Sequence, residues 1–265
     1  MTNLADAIPD GLMNRFLPRY TAADIPSIVA QDPVVIIPIG STEQHGPHLP
    51  LYTDTLLTYR ILEEGLLAIP RDLPVYFLPA LAYSCSHEHV GFPGTVSLSA
   101  ETTMHVLKDI ATSLHQFGVK RLLFLNGHGG NLGFLPWVAR DIHLSTGQWV
   151  FLVHTGALAP RDDPWDIHAG AGETSLMLAE LSDWVMIERI PALSPPSARS
   201  TVLSYEGRFP VAWSTRDISP LGVIGNPAAA STDEGQEQFR AMVNHFVQVL
   251  HDVVQFHGWH EGGES

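Results

Sequence analysis

The sequence predicts a single α/β domain with a mainly parallel β-sheet and helices on both faces. Three observations carry that expectation. Short aliphatic runs without alternation read as strands buried on both sides. Longer stretches with helical apolar spacing separate them. Clusters of histidine, carboxylate and glycine follow the strand ends, where ligands bind in open α/β sheets.

Taken in order, the strands are Pro33–Ile39 (PVVIIPI), the weaker Val75–Leu78, Lys120–Leu125 (KRLLFL) and Gln148–Val153 (QWVFLV). Helices are expected near 54–68, 99–117, 131–145, 171–183 and 233–256. Ser99 offers an N-cap before the second of these, and Ser231-Thr-Asp-Glu234 has capping-box spacing with an acidic first turn. Residues 191–230, rich in Pro, Ser and Gly, read as long ordered loops. One domain spans 1–265, with about 1–28 and 257–265 at its periphery.

A net charge of −14 argues against nucleic acid and anionic membrane surfaces as partners. One cysteine, Cys85, allows no intramolecular disulfide, and the first 30 residues lack a basic start followed by an apolar run. No apolar run approaches the roughly 20 residues of a bilayer span. A cytoplasmic protein is the expectation.

The chemistry is concentrated in four places. After the first strand comes STEQHGPH (41–48), with Asp54 opening the next helix. After the third comes NGHGGN (126–131), and after the fourth HTG (154–156). The fourth cluster, WDIHAGAGET (165–174), opens the helix near 171–183. Glu43 and His45, two apart, point to one side of an extended backbone. Turns at Gly46-Pro47 and Leu49-Pro50 can fold Asp54 back towards them, and His128 arrives from a neighbouring strand end where glycines permit close approach. Glu173 can enter from its helix. Imidazole and carboxylate donors suit zinc, manganese or iron, and three carboxylates are better neutralised by two divalent ions than by one. A phosphate-cradling role for NGHGGN is set aside, because such a loop should follow the first strand. His87 and His89 read as loop or interface residues. His105, His115, His143 and His245 lie in helical patterns and read as structural.

Five motifs in this order, GSTEQHGPHLPLYTD, EHVGFPGTVSLS, LFLNGHGGN, HAGAGETSLML and GVIGNPAAASTDEG, resemble the creatininase family of metal-dependent amidohydrolases over about residues 30–250. The resemblance implies a dinuclear metal centre and a homo-oligomer, often a hexamer. It places Glu43, His45, Asp54 and His128 on the family's ligand positions, with Asp54 bridging. Glu173 falls on the glutamate of the Glu-Thr-Ser motif and His168 on the histidine five residues before it. Creatinine-hydrolysing members carry a glutamate ligand two residues after the third-cluster histidine, where this chain has Gly130, so Glu173 must supply the last carboxylate. Trp165 stands near the place of an aromatic lid, with spacing to His168 one residue shorter than in those members.

The expected activity is hydrolysis of a non-peptide amide, cyclic or formamide-like, in a small molecule. His168 would move a proton to the leaving nitrogen, Glu173 would complete the catalytic metal site, and backbone N–H groups of Gly127–Gly130 would hold the oxyanion. A metal-dependent peptidase of cofactor maturation and a non-catalytic binding module are the alternatives.

Overall fold

The computed structural model describes residues 11–160, 163, 165–193, 202–205 and 209–258. Four strands form one parallel sheet: β1 (Val34–Ile39), β2 (Val75–Phe77), β3 (Arg121–Asn126) and β4 (Trp149–His154), in the order β2-β1-β3-β4. Among the described residues eight α-helices accompany it: α1 (Ile25–Val29), α2 (Thr53–Ala68), α3 (Ala100–Gln116), α4 (Leu135–Thr146), α5 (Thr155–Leu158), α6 (Ala171–Glu180), α7 (Thr215–Ile218) and α8 (Thr232–Gln255). Each expected strand and long helix is present. Ser99 caps α3 through Thr102 N–H at 3.1 Å, and Ser231 caps α8 through Glu234 N–H at 3.4 Å.

Two boundaries differ from expectation. Helix α4 starts at Leu135 rather than near 131, because Asn131 is held in a 3₁₀ turn by hydrogen bonds to Ser84 Oγ and Asn126 Oδ1. Pro136 then fits the first helical turn, where no N–H is needed. Helix α6 stops at Glu180, and Ser182–Trp184 form a separate 3₁₀ turn. Pro38 lies inside the central strand β1, a place that normally rejects proline. Here β2 ends at Phe77, opposite Ile36, so the absent N–H deprives no neighbour of a ladder bond.

Alternation in β1 splits the core. Val34 and Ile36 face α2, α6 and α8, with Ile61, Met177 and Phe246 among their partners. Val35, Ile37 and Ile39 face α3 and α4, with Leu107 and Val138. Burying such side chains contributes roughly 1.5–3 kcal/mol each. Gly65 lets α8 cross α2 closely: a Cβ there would meet Phe246 Cδ1 at 2.5 Å.

Residues 11–28 do more than the peripheral role expected of them. Leu12, Leu17 and Ile28 are buried, and the buried Arg15 guanidinium donates to the carbonyls of Pro70, Leu73 and Val75. Among the described residues no helix is long and apolar enough to cross a membrane.

Candidate metal centre

The order β2-β1-β3-β4 creates a switch point. From β1 the chain crosses to β2 through α2 on one face. From β3 it crosses to β4 through α4 on the other face. Right-handed crossovers in opposite directions must use opposite faces, so the loops after β1 and β3 part and leave a crevice between them. The register pairs Ile39 with Asn126, so both strands end at one level beneath it.

Each side chain is brought there by a local device. Glu43 is pinned through its N–H to Leu51 O at 2.9 Å. Asp54, on the first turn of α2, accepts from Ser41 Oγ at 2.8 Å. Gly127 donates its N–H to Ile39 O at 2.8 Å and packs on α2 so tightly that a Cβ would overlap Thr58 Oγ1. His128 follows directly. Ala169, a non-glycine residue with φ of 51°, reverses the chain between His168 and α6, so that both His168 and Glu173 reach the crevice. Such left-handed backbone costs a residue with a Cβ about 1–2 kcal/mol. Glu173 accepts the Ala169 N–H at 2.6 Å, which suits a carboxylate in the first turn of a helix.

The resulting cluster is dense. His128 Nδ1 lies 3.0 Å from Asp54 Oδ2 and 3.3 Å from Glu43 Oε2. His45 Nε2 lies 3.1 Å from Asp54 Oδ1 and 4.0 Å from Glu173 Oε2. Four overlapping donor groups have ligand atoms within 4.8 Å of one another: Glu43–His45–His168, Glu43–Glu88–His89, and the pair Glu43–Asp54–His128 and His45–Asp54–Glu173. The last two share Asp54, one oxygen of which faces each of their histidines. A cavity of about 210 Å³ opens over them, lined also by Glu88, His89, Gly129, Gly130, His168 and Trp213.

Electrostatics match a cation site. Burial alone would push the Glu43 carboxyl up, yet His128 and His89 beside it hold it well below the usual range. Asp54 is likewise held down, against burial and the nearby Glu43, by His45 and His128. Burial opposes a charge on His45, but Asp54 raises it to about 10, and Glu43 and Asp54 raise His128 in the same way. Two protons thus stand in for the positive charge that metal ions would bring. Burial pushes Glu173 up to about 7, against the pull of His45. Burial, with His89 and His45 nearby, keeps His168 well below the ordinary histidine range, so it is neutral.

The expected residues Glu43, His45, Asp54, His128, Glu173 and His168 therefore converge, and Gly129 and Gly130 line the cavity. Trp165 does not line it; its ring lies 6.1 Å from that of Tyr205, and Trp213 supplies the aromatic wall. Gly127 has its N–H committed to Ile39 and offers none to an oxyanion. His89 is not the loop or interface residue its sequence context suggested. It is buried, with Nε2 3.3 Å from Glu43 Oε1. Glu88 fills the space beside Gly130, where a Cβ would overlap Glu88 Oε1 and come within 2.7 Å of Cys85 O. The one sequence signal for both was the His-Glu-His triplet at 87–89.

The site fits a metal centre on its own evidence. Glu43 Oε2 is buried, with His128 Nδ1 at 3.3 Å but no well-formed hydrogen bond, and the donors are hard carboxylates and imidazoles without a thiolate. Fold and site together define a parallel α/β protein with a carboxylate–histidine cluster able to hold metal at its switch point. The chain belongs to the creatininase family, whose model, described as creatinine amidohydrolase, matches residues 18–250. It is 34% identical over 242 residues to the mycofactocin precursor peptide peptidase of Mycobacterium tuberculosis (strain CDC 1551 / Oshkosh), covering 86% of this chain and 87% of that protein. It is 30% identical over 197 residues to the creatinine amidohydrolase of Pseudomonas putida, covering 64% of this chain and 74% of that one. A crystal structure of creatinine amidohydrolase shares the fold, with a TM-score of 0.74 at 24% identity over 91% of this chain and 98% of that one.

Proposed function

We propose that this chain is a hydrolase that cleaves an amide C–N bond with two divalent metal ions, Zn, Mn or Fe. The observation that carries the reading is the pair of donor groups sharing Asp54 beneath one cavity. Glu43, Asp54 and His128 would hold one ion, and His45, Asp54 and Glu173 the other. Ions held there would lower the pKa of a water towards neutrality and polarise the scissile carbonyl.

The chain's own groups do the rest. His168 is neutral and donates through Nε2 to Gln44 O at 2.7 Å, so its Nδ1 is a bare base, 3.7 Å from Glu43 Oε1 in the cavity wall. That nitrogen takes the proton released as the water oxygen bonds to the carbonyl carbon. It returns the proton to the nitrogen as the C–N bond breaks. Gly129 and Gly130 present backbone to the developing oxyanion.

The longer, higher-identity match to a precursor-peptide peptidase supports a peptide-type amide in a short chain. The match to a creatinine amidohydrolase supports the non-peptide amide that the motifs suggest, and the small cavity suits either. The acidic surface supports no nucleic acid as partner, and a cytoplasmic homo-oligomer completes the proposal. A panel of short peptides, cyclic amides and formamides, assayed with metal-free, Zn-, Mn- and Fe-loaded protein, is the test. Metal-dependent release of an amine from one class is expected. Loaded protein that binds both ions and turns over none of them would reduce the chain to a binding module.

A further inference from the structure

Four chain segments meet behind Glu43, and one side-chain amide ties them together. Gln44 is buried, and its orientation is set from both ends. Oε1 accepts from Gly46 N–H at 2.9 Å, while Nε2 lies 2.8 Å from Gly222 O, which can only accept. Gly222 is left-handed, with φ of 81°, and a Cβ there would overlap Gln44 Oε1, so the amide reaches this backbone only because residue 222 is glycine.

The amide nitrogen has two hydrogens. One goes to Gly222 O; the other goes to His89 Nδ1, 2.8 Å away, because His168 Nε2, at 3.1 Å, donates its own hydrogen to Gln44 O and accepts none. The Thr215 hydroxyl is also 2.8 Å from that ring nitrogen. His89 Nδ1 is therefore an acceptor, and its hydrogen must sit on Nε2, which faces Glu43 Oε1 at 3.3 Å. The Gln44 backbone carbonyl fixes His168 in the same way, with hydrogen on Nε2. Nδ1 of His168 then faces Glu43 Oε1 at 3.7 Å, and the two imidazoles of His89 and His168 lie 4.0 Å apart between ring centres.

We propose that Gln44 and His89 are positioning residues of the metal centre: they dictate which ring nitrogens carry hydrogen, so that Glu43 is held through Oε1 and keeps Oε2 for a cation. This rests on the metal-dependent reading above. Without the His89 donor, Oε1 of the buried carboxylate loses its nearest N–H. The inference also gives residues 215–222 a role, because Gly222 O orients the Gln44 amide and the Thr215 hydroxyl sits against the same His89 nitrogen.

The test is a competitive-chelator titration of metal-free protein with Zn²⁺, in wild type and four variants, with circular dichroism to establish folding. His89→Leu removes the donor to Glu43 and should weaken binding of an ion about 10–100-fold, as loss of an outer hydrogen-bond partner does. His89→Gln restores an N–H near the position of Nε2 and should recover most of that loss, which a purely space-filling role would not predict. Gln44→Glu, of the same shape, puts acceptors opposite Gly222 O and His89 Nδ1, and should weaken binding even if His89→Leu fails to fold. Asp54→Ala is the control for the underlying reading and should lose both ions. Wild-type affinity in His89→Leu and Gln44→Glu alongside metal loss in Asp54→Ala overturns the positioning role alone. Wild-type affinity in Asp54→Ala overturns the metal centre itself.

Discussion

Metal loading should release protons, in a number that follows from the geometry. In the metal-free cluster, carboxylate neighbours raise His45 to about 10 and His128 well above its ordinary value. Both imidazoles therefore carry a proton at pH 7–8, and both must lose it to coordinate. Glu173, at about 7, is roughly half protonated at pH 7 and almost ionised by pH 8.5. Filling both positions at pH 7 should thus release about two protons from the imidazoles and part of one from Glu173, and ionisation of a metal-bound water adds to that count. The sign follows: the proton-bound form belongs to the metal-free state, so affinity falls as pH falls. Summed over both ions, log K should rise by about two or more per pH unit around neutrality, the imidazoles and a bound water each contributing. The same two imidazoles stabilise the metal-free fold fully below about pH 6.5, and that contribution fades as pH climbs through the raised values. Zn²⁺ or Mn²⁺ added to weakly buffered metal-free protein in a pH-stat gives the count, and calorimetry in two buffers of different ionisation heat checks it. Two ions binding with less than about half a proton released would refute the claim that His45 and His128 are ligands.

Three further outcomes are expected. Glu173→Ala should lose or weaken one ion, whereas His168→Ala should keep both and lose about 10²–10⁴-fold in turnover; elemental analysis beside rate measurement reverses the roles if the stoichiometries come out the other way. Gly130→Ala should displace Glu88, crowd His128 and Cys85 O, and cost about 1–3 kcal/mol; an unchanged melting temperature and full activity would show that this space is not limiting. The β4 edge leaves Leu152 exposed and neighbouring α4 exposes Trp137 and Leu144, so light scattering should find an oligomer at micromolar concentration, and monomers alone would count against it.

Strand and helix positions, and the residue types of the candidate metal centre, were legible in the chain itself. The runs VVIIPI and RLLFL identify buried strands because a strand covered on both faces needs no alternation. Glu43 and His45 share a side because backbone period alone decides that. These are local properties. The order β2-β1-β3-β4 and the crevice it opens depend on crossover direction, which no single segment encodes. His89 looked like a surface loop histidine because its partners Gln44, Thr215 and Glu43 come from distant segments. Glu88 shares a wall with Gly130 for the same reason. Periodicity reports which side of an element is buried, whereas a polar group's role depends on what another part of the chain places opposite it, and only the folded packing decides that.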